Sequence, residues 1–468
     1  MAIYHLTANI ISRARGQSVV AAVAYRSGAR LRDERYGVTH NYIGKRGVVH
    51  SEIVAPRQAP SWVRDREALW NNVEASELRK DSQLARIIEV GLPIELSADE
   101  RIALVRDFVD TVFVAKGMIA DFCIRGDAKN PHAHILLTLR GLTPSGFGPK
   151  ERRWNGKSAL KEWRSAWASR ANEHLARAGH SARIDHRTLE AQQIELTPGR
   201  RVGVMRAQRG DESLPRHLAE RIAEQQRIAQ ENGELILQDP TVALRAITQQ
   251  RPIFTQHELA QFLRTRTCGV AQFDSVFLAV TTSDDLVALD SDAGSDSRFT
   301  SRDMIEAEKS LIRRASSMAG RRGQGVLPER LSAVLGQFAL KGTERCEFDY
   351  LVSEGDAKAI VVTAESKVTL LTAARQAWDA QGLAVIGPQS LEQCEADWQQ
   401  GHHLLARGTV LLLDGSETIG LKPLERIFAV ADKARAKVVL IADSQRLKAM
   451  RVELPFRAVF RQIGLPVR

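Results

Sequence analysis

The sequence predicts an α/β protein with an antiparallel sheet and flanking helices in its first part and a parallel α/β domain in its last part. The first prediction rests on two strand-like segments, MIADFCIR and HAHILLTLR, joined by GDAKNP. The Gly, Asp, Asn and Pro of that turn favour a tight reversal and hence a β-hairpin. The second prediction rests on the runs AIVV, GTVLLLD and KVVLIAD, which alternate with helical segments such as TLLTAARQAWDAQG.

The first elements of the chain alternate between strand and helix. Residues 2–11 alternate as a strand does, and Gly16 to Ser18 open the Ala/Val-rich helix QSVVAAVAYRSGARL, which contains Tyr25. The run VVHSEIV is a short strand, and a helix is expected from Pro60 to Arg79 because proline is favoured in the first turn. The segment LARIIEVGLP then predicts another strand.

The elements around the hairpin carry clear local signals. Ser97 and Glu100 form a capping-box signature before the helix RIALVRDFVDTVFVAK, which Gly117 ends. After the hairpin, GLTPSGFGPKERRWNGK is rich in glycine and basic residues and is predicted to be a loop. In the helix that follows, Trp163 and Trp167 share one face because they are four residues apart.

Breaks in periodicity divide the chain into four predicted parts. The segment ELTPGRRVGVMRAQRGDESLPR ends a first domain at 1–205, and a helix through 216–232 lies within a linker at 206–239. A small α/β unit with a polar turn at DSDAGSDSR is expected at 240–330, ending near GRRGQG. The parallel α/β domain then occupies 331–468.

The positive charge is concentrated in the first part of the chain. Residues 1–210 contain 34 Lys and Arg against 22 Asp and Glu, so this part carries +12 and the remainder −2 of the total +10. Such a field attracts a polyanion, and nucleic acid is the commonest partner of this kind. A solvated basic surface without a partner is the alternative interpretation.

The cysteines and the apolar segments exclude several classes of protein. The four cysteines are dozens of residues apart, which excludes a CxxC zinc site and a dense disulfide framework and fits a reducing compartment. We find no stretch near the roughly 18 apolar residues that a membrane span needs, and no signal-peptide pattern at the start. A cytoplasmic protein without membrane insertion is therefore expected.

Two features of the first domain suggest phosphoryl-transfer chemistry. His132 and His134 lie on a predicted strand, where residues two apart share a face, and paired imidazoles can bind a divalent metal that polarises a phosphate oxygen. Tyr25, on a helix, could serve as a nucleophile beside such a site. Taken singly, each has a structural alternative, since HxH pairs occur on strands by chance and helix tyrosines commonly pack on sheets.

Five motifs occur in one order: MAIYHLTA, GQSVVAAVAYRSG, EVGLP, NPHAHILLT and AGHSARIDHRTLEAQ. In order and spacing they resemble the MobA/MobL family of conjugative relaxases, part of the wider HUH (His-hydrophobic-His) group, over about residues 1–195. The resemblance implies a relaxase-type antiparallel sheet and a bacterial enzyme that nicks single-stranded DNA at a plasmid transfer origin. Relaxosome accessory proteins and a coupling protein would be its further partners.

The resemblance also implies roles for individual residues. Tyr25 would attack the scissile phosphate and form a 5′-phosphotyrosine, while His132 and His134 would bind a divalent metal, Mn or Mg. Glu89, in EVGLP, would orient a ligand histidine, although a half-exposed strand carboxylate explains it equally. Further positions that match near the DNA or the site are His5, Arg26, Arg183, Asp185, His186 and Arg187.

The sequence departs from the family pattern at one position. The family usually has a third histidine at the end of the strand before the hairpin, where this chain has Arg125. A guanidinium is always protonated and cannot ligate a metal. Either Arg125 clamps the phosphate itself, or Cys123 or Asp127 completes the site, or catalysis is weakened; we favour a phosphate-binding arginine beside a weaker metal site.

Residues from 240 onward resemble the RecD-like helicase region of Ti-type TraA relaxases, with altered motor motifs. Aligned on Lys367, the glycine positions of the nucleotide loop hold Val361 and Ser366, and the hydroxyl position holds Val368. The acidic pair is reduced to Asp414 followed by glycine. We therefore expect a degenerate, partial P-loop-like domain that neither uses nor hydrolyses ATP, and, since the sequence runs only to Arg468, no second motor lobe.

Three functions compete at this point. The leading hypothesis is a metal-dependent relaxase that nicks and rejoins DNA through Tyr25. A rolling-circle replication initiator would use the same combination of a bound metal and a tyrosine nucleophile, but the five-motif match favours plasmid transfer. A relaxase-derived DNA-binding protein with weakened or no catalysis is favoured by Arg125 and opposed by the presence of Tyr25, His132 and His134.

Overall fold

A computed structural model describes residues 4–126, 130–144, 146–199, 216–289, 297–338, 340, 342–399, 405–450 and 455–464. The chain forms two compact units, Met1–Thr188 and Leu189–Arg468. The predicted boundary at residue 205 lies outside the described residues.

The first unit is built from strands and helices in alternation. Its strands are β1 (Leu6–Ser12), β2 (Arg30–Asp33), β3 (Val38–Asn41), β4 (Val48–Val54), β5 (Gln83–Gly91), β6 (Ala120–Arg125), β7 (His132–Thr138), β8 (Arg140–Thr143) and β9 (Gly146–Lys150). Its helices are α1 (Val19–Ser27), α2 (Arg66–Ser76), α3 (Ala98–Val112) and α4 (Lys157–Arg177). Short 3-10 turns lie at Arg13–Arg15, Ser61–Arg64, Val114–Lys116 and Arg152–Asn155.

Five of these strands form an antiparallel sheet in the order β1-β5-β7-β6-β4. The predicted antiparallel sheet and the β6–β7 hairpin are thereby confirmed. One sheet face packs against α3 and α4 through a core that includes Phe108, Trp163 and Trp167. The other face packs against α1 and α2 through a core that includes Val20, Trp70 and Leu136.

Local signals set the limits of α1 and α3. The Ser18 side chain accepts a hydrogen bond from the Ala21 amide at the start of α1, and Gly28, at φ 66°, ends the helix. The predicted helix QSVVAAVAYRSGARL is therefore too long, since a left-handed glycine stops it before β2. The capping box of Ser97 and Glu100 at the start of α3 is confirmed.

Two other predictions for this unit are corrected. The helix expected from Pro60 to Arg79 is a 3-10 turn followed by α2, because the Asp65 side chain accepts from the Ala68 amide and starts a new helix there. The expected loop GLTPSGFGPKERRWNGK contains the β8–β9 hairpin, in which Thr143 lies opposite Gly146. The glycine-rich composition did not indicate this strand pair, whose Leu142 and Phe147 pack against the core with α1 and α2.

The second unit combines many helices with two sheets. The helices are α5 (Arg216–Gln238), α6 (Pro240–Gln250), α7 (Gln256–Arg264), α8 (Gly269–Thr281), α9 (Arg302–Ala319), α10 (Pro328–Leu335), α11 (Thr343–Val352), α12 (Ala364–Gln381), α13 (Leu391–Gln399), α14 (Leu421–Ala434), α15 (Ser444–Ala449) and α16 (Pro455–Ile463). The strands are β10 (Phe254–Thr255), β11 (Leu286–Ala288), β12 (Arg298–Ser301), β13 (Ala357–Val362), β14 (Ala384–Gln389), β15 (Thr409–Asp414) and β16 (Lys437–Asp443).

The last four strands form a parallel sheet in the order β13-β16-β15-β14, as the sequence predicts, although the sequence did not indicate β14. The P-loop-like part of the expected fold is not confirmed. Thr363 alone separates β13 from α12, and its side chain caps that helix by accepting from the Ser366 amide. A glycine-rich loop that could surround a phosphate is therefore not formed between this strand and helix.

Helix length and polarity also bear on the membrane prediction. Within the described ranges, no helix is both long enough and apolar enough to span a membrane.

Candidate active site on the antiparallel sheet

Polar side chains gather on the sheet face that packs against α1 and α2. His134 on β7 lies opposite Glu89 on β5, and His132, one row further along, lies opposite Arg125 on β6. Alternation along β7 puts both histidines on the same side as Leu136, which is part of the core with α1 and α2. The structure therefore brings the predicted histidine pair, the carboxylate and the arginine onto one face.

The two imidazoles are close and have different surroundings. Their ring centroids are 5.0 Å apart. His132 Nδ1 lies 3.0 Å from the carbonyl oxygen of Asn130, which can only accept, so Nδ1 is the donor in this contact. His134 Nδ1 is buried without a hydrogen-bond partner in the described part of the chain. Burial lowers the pKa of His134 to about 4, so this ring is neutral at pH 7.

Glu89 brings a carboxylate next to the histidines. Its two carboxylate oxygens lie 3.8 Å from His5 Nε2 and 3.8 Å from His134 Nδ1. The interaction with the His5 side chain is the largest influence that lowers the pKa of Glu89, to about 2. The structure thus places Glu89 between His134 and His5, and its role in orienting His134 stays a prediction.

Tyr25 lies in the last turn of α1 and is 43% exposed. The Lys45 ammonium lies over its ring and donates to its backbone carbonyl at 3.2 Å. The Arg125 guanidinium is 5.8 Å from the centroid of the Tyr25 ring. The Tyr42 ring packs edge-on against the Tyr25 ring, with the two centroids 5.3 Å apart. Lys45, and then Arg125, hold the pKa of Tyr25 below the ordinary value of a phenol, which favours the nucleophilic phenolate.

Arg125 connects the tyrosine to the histidines, because it contacts the Tyr25 ring and lies opposite His132. It occupies the position where the family resemblance implied a third histidine. Arg26 lies close to the same groups: its Nη1 donates to the carbonyl of Ala22 at 2.9 Å, and burial lowers its pKa. Two guanidinium groups therefore accompany the histidine pair.

A buried network missed by sequence reasoning fixes β6 against α2. Asp121 is fully buried and accepts from Arg66 Nε and Nη2, each at 2.8 Å, and from Trp70 Nε1 at 2.9 Å. A single acidic residue in an apolar strand was the only available signal, and its partners are more than 50 residues away in the sequence. The network holds the strand that carries Arg125.

The predicted DNA-binding residues near residue 185 have local partners in the first unit. Arg187 forms a bidentate ion pair with Asp185, and the His186 ring centroid lies 6.5 Å from that of Tyr4, which packs on the core with α3 and α4. Arg183 donates to backbone carbonyls at 2.7 and 2.8 Å. The structure places His186 of this segment beside Tyr4, and the contact of the segment with DNA stays a prediction.

The two remaining residues of the degenerate nucleotide site contact each other. Lys367 Nζ lies 2.5 and 2.6 Å from the two carboxylate oxygens of Asp414. The lysine that would contact a nucleotide phosphate is therefore engaged in an ion pair, at the end of a strand that enters α12 without a phosphate loop.

The donor set on the sheet fits a metal only in part. Across the described ranges, no group of three His, Cys, Asp or Glu side chains is arranged to hold a metal ion. His132 and His134 supply two imidazoles, and Nδ1 of His134 is buried without a hydrogen-bond partner among the described residues. Cys123, opposite His134, has its pKa raised to about 12 by burial and is a thiol, and Asp127 lies outside the described residues. The residues present therefore fit a two-histidine site with an arginine beside it.

The fold and the site together define a mixed α/β protein whose antiparallel sheet carries a histidine pair next to a helix-borne tyrosine. The family model described as MobA/MobL family matches residues 17–211. The mobilization protein MobL of Acidithiobacillus ferridurans is 35% identical over 51% of this chain and 72% of its own length. The chain belongs to the MobA/MobL family.

Other relatives extend the similarity along the whole chain. The conjugal transfer protein TraA of Rhizobium radiobacter is 32% identical over 99% of this chain and 48% of its own length. The chain thus spans about half the length of this curated relative. A solved structure titled for the molecular basis of vancomycin resistance transfer in Staphylococcus aureus contains a chain that is 38% identical to this one. The match covers 40% of this chain and 100% of the solved chain, with a TM-score of 0.39.

Proposed function

We propose that this chain is a conjugative relaxase, which nicks one DNA strand at a transfer origin with Tyr25 and later rejoins it. The observation that carries the proposal is the exposed phenol of Tyr25, whose pKa is lowered by Lys45 and Arg125, next to the face that carries His132 and His134. Conjugal transfer and mobilization proteins among the relatives support the same function.

The reaction is a transesterification that keeps the number of phosphoester bonds constant. Tyr25 Oη attacks the scissile phosphorus while the bond from phosphorus to the 3′ oxygen breaks. The 3′ oxygen takes up a proton and leaves as a hydroxyl, and the phosphate stays on Tyr25 as a 5′-phosphotyrosine. Attack by a 3′-hydroxyl on this ester rejoins the strand and regenerates the phenol.

The chain's own residues supply charge and orientation for this step. Lys45 stabilises the phenolate form of Tyr25, and the Arg125 guanidinium can bind two phosphate oxygens in its planar fork. The Glu89 carboxylate, 3.8 Å from His134 Nδ1, would help to orient that ring. A divalent metal such as Mn or Mg, when held by His132 and His134, would polarise a phosphate oxygen.

The proposed function sets the surroundings in which the protein acts. Its substrate is single-stranded DNA, so accessory proteins that expose one strand at the origin, and a coupling protein that passes the strand on, are its expected partners. We place the reaction in the bacterial cytoplasm, where the plasmid lies.

The test is capture of the covalent intermediate. The full chain is incubated with a single-stranded oligonucleotide or supercoiled plasmid that carries the origin, with Mn or Mg, and is then denatured. We expect a protein-DNA adduct that Tyr25→Phe abolishes and Tyr36→Phe, at another exposed tyrosine, preserves. If the wild-type protein shifts the DNA in a native gel but gives no adduct, the proposal fails and a non-catalytic DNA-binding protein replaces it.

A further inference from the structure

We infer that the β2–β3 hairpin, Arg30–Asn41, binds the phosphate backbone of the single-stranded DNA beside the nick. The inference rests on the proposed function, because it assigns a surface to the substrate of Tyr25. The sequence predicted the DNA contacts elsewhere, at His5, at Arg26 and near residue 185. The hairpin is a separate surface that is directly connected to the helix of the nucleophile.

The position of the hairpin follows from the end of α1. Gly28 stops the helix three residues after Tyr25, and β2 begins two residues later. The chain returns along β3 to Tyr42, whose amide donates to the carbonyl of Ala29 at 3.1 Å and whose ring contacts Tyr25. Both ends of the hairpin therefore lie at the nucleophile, so a strand bound along it leads directly to the nick site.

The outer face of the hairpin carries unpaired positive charge. Arg30 and Arg32 are exposed, and their cross-strand neighbours on this face are Asn41 and Thr39, also exposed. Among the described residues neither guanidinium has an ion-pair partner. Two residues along a strand span about 6.8 Å, so the arginines can contact different phosphates of one DNA strand while Thr39 and Asn41 add hydrogen-bonding groups.

The inner face fixes the hairpin to both helices beneath it. Asp33 is fully buried and accepts from the Ser18 hydroxyl, the cap of α1, at 2.5 Å. The Arg32 amide donates to the Glu67 carboxylate at 2.7 Å, and Asn71 Nδ2 donates to the Arg32 carbonyl at 2.8 Å. Because the backbone is already held, binding DNA orders only the arginine side chains, which lowers its entropic cost.

An aromatic side chain at the tip favours single-stranded over duplex DNA. Tyr36 is 51% exposed in the turn, where its amide donates to Asp33 Oδ1 at 3.2 Å and Gly37 adopts a φ of 69°. An exposed ring beside a basic strand face is the combination that stacks an unpaired base while its phosphates are bound. Paired bases in a duplex offer no free face to such a ring.

The experiment measures binding of the full chain to a fluorescein-labelled oligothymidylate of about 20 nucleotides, across a range of salt concentrations. The test variant is Arg30→Ala/Arg32→Ala. The matched control is Arg79→Ala/Arg153→Ala, which removes the same charge from side chains that are 80% and 87% exposed. Loss of two phosphate contacts should lower the slope of log K against log salt by about 1.4 and weaken binding roughly tenfold at physiological salt.

The outcomes separate the alternatives. If the test and control variants bind equally well, or if the test variant loses affinity equally for a duplex of the same length, the inference is overturned. Tyr36→Ala should weaken single-strand binding by about tenfold, and Tyr36→Phe should leave it unchanged. If the wild-type chain gives no adduct, the proposed function fails, while the binding comparison still decides the role of the hairpin.

Discussion

The buried ion pair between Arg13 and Glu74 should be a major contributor to the stability of the first unit. Both side chains are almost fully buried, and Arg13 Nη2 lies 2.7 Å from Glu74 Oε2. The other carboxylate oxygen, Oε1, accepts from the amide of Val19 at 3.0 Å, the first residue of α1. The same carboxylate therefore neutralises a buried cation and holds the start of the helix that carries Tyr25.

We expect Glu74→Ala to lower the free energy of unfolding by about 3–5 kcal/mol, because it leaves a buried guanidinium without its counter-charge. At about 2–4 °C per kcal/mol for a unit of this size, Tm falls by about 6–20 °C. Glu74→Gln should cost less, since it keeps an acceptor for the Val19 amide. The control Glu162→Ala breaks an exposed ion pair with Lys116 and should change stability by less than about 1 kcal/mol.

The measurement is urea-induced unfolding of the full chain, monitored by tryptophan fluorescence. This signal reports mainly on the first unit, because five of the seven tryptophans belong to Met1–Thr188. The transition that shifts in Glu74→Ala should be the one that reports these tryptophans. A loss for Glu74→Ala no larger than that for Glu162→Ala would refute the reasoning, since a buried charge would then have been left unpaired at no cost.

Three further predictions concern chemistry. Lys45→Met removes the cation that lowers the pKa of Tyr25, so less phenolate is present near pH 7 and adduct formation slows at that pH. The pH at which the adduct-formation rate rises should therefore increase. An unchanged pH profile, or the same shift in Lys116→Met, would contradict this. Arg125→His adds a third imidazole opposite His132 and should lower the Mn or Mg concentration needed for half-maximal adduct formation, as a metal titration would show. Phosphate release from ATP with single-stranded DNA should stay at background in the wild type and in Lys367→Ala; turnover that this substitution abolishes would disprove the expectation.

Much of the active-site face could be predicted because its signals are local. The HxH spacing of His132 and His134 requires only strand alternation, and the turn between β6 and β7 has a recognisable composition. Glu89 falls beside them because one β pairing brings EVGLP opposite the hairpin. In each case a short motif and one pairing register were enough.

The remaining contacts depend on tertiary packing that no local pattern encodes. Lys45 lies 20 residues after Tyr25 and reaches its ring only because the β2–β3 hairpin returns the chain to the end of α1. Asp121 and Arg66 are 55 residues apart, and their pairing requires α2 to lie on the sheet face next to β6. Charged residues at such positions look solvated in sequence, and their burial becomes visible only in the fold.

The order β1-β5-β7-β6-β4 has a consequence for how the site can move. His132 and His134 are on β7, the central strand, whose backbone is hydrogen-bonded to neighbours on both sides. Such a strand opens only when most of the domain unfolds, and its amides exchange with solvent most slowly. Tyr25, in contrast, ends a helix of nine residues and faces solvent. The histidine half of the candidate site is therefore held rigidly, and under the proposed function adjustment to the DNA strand would fall to the tyrosine.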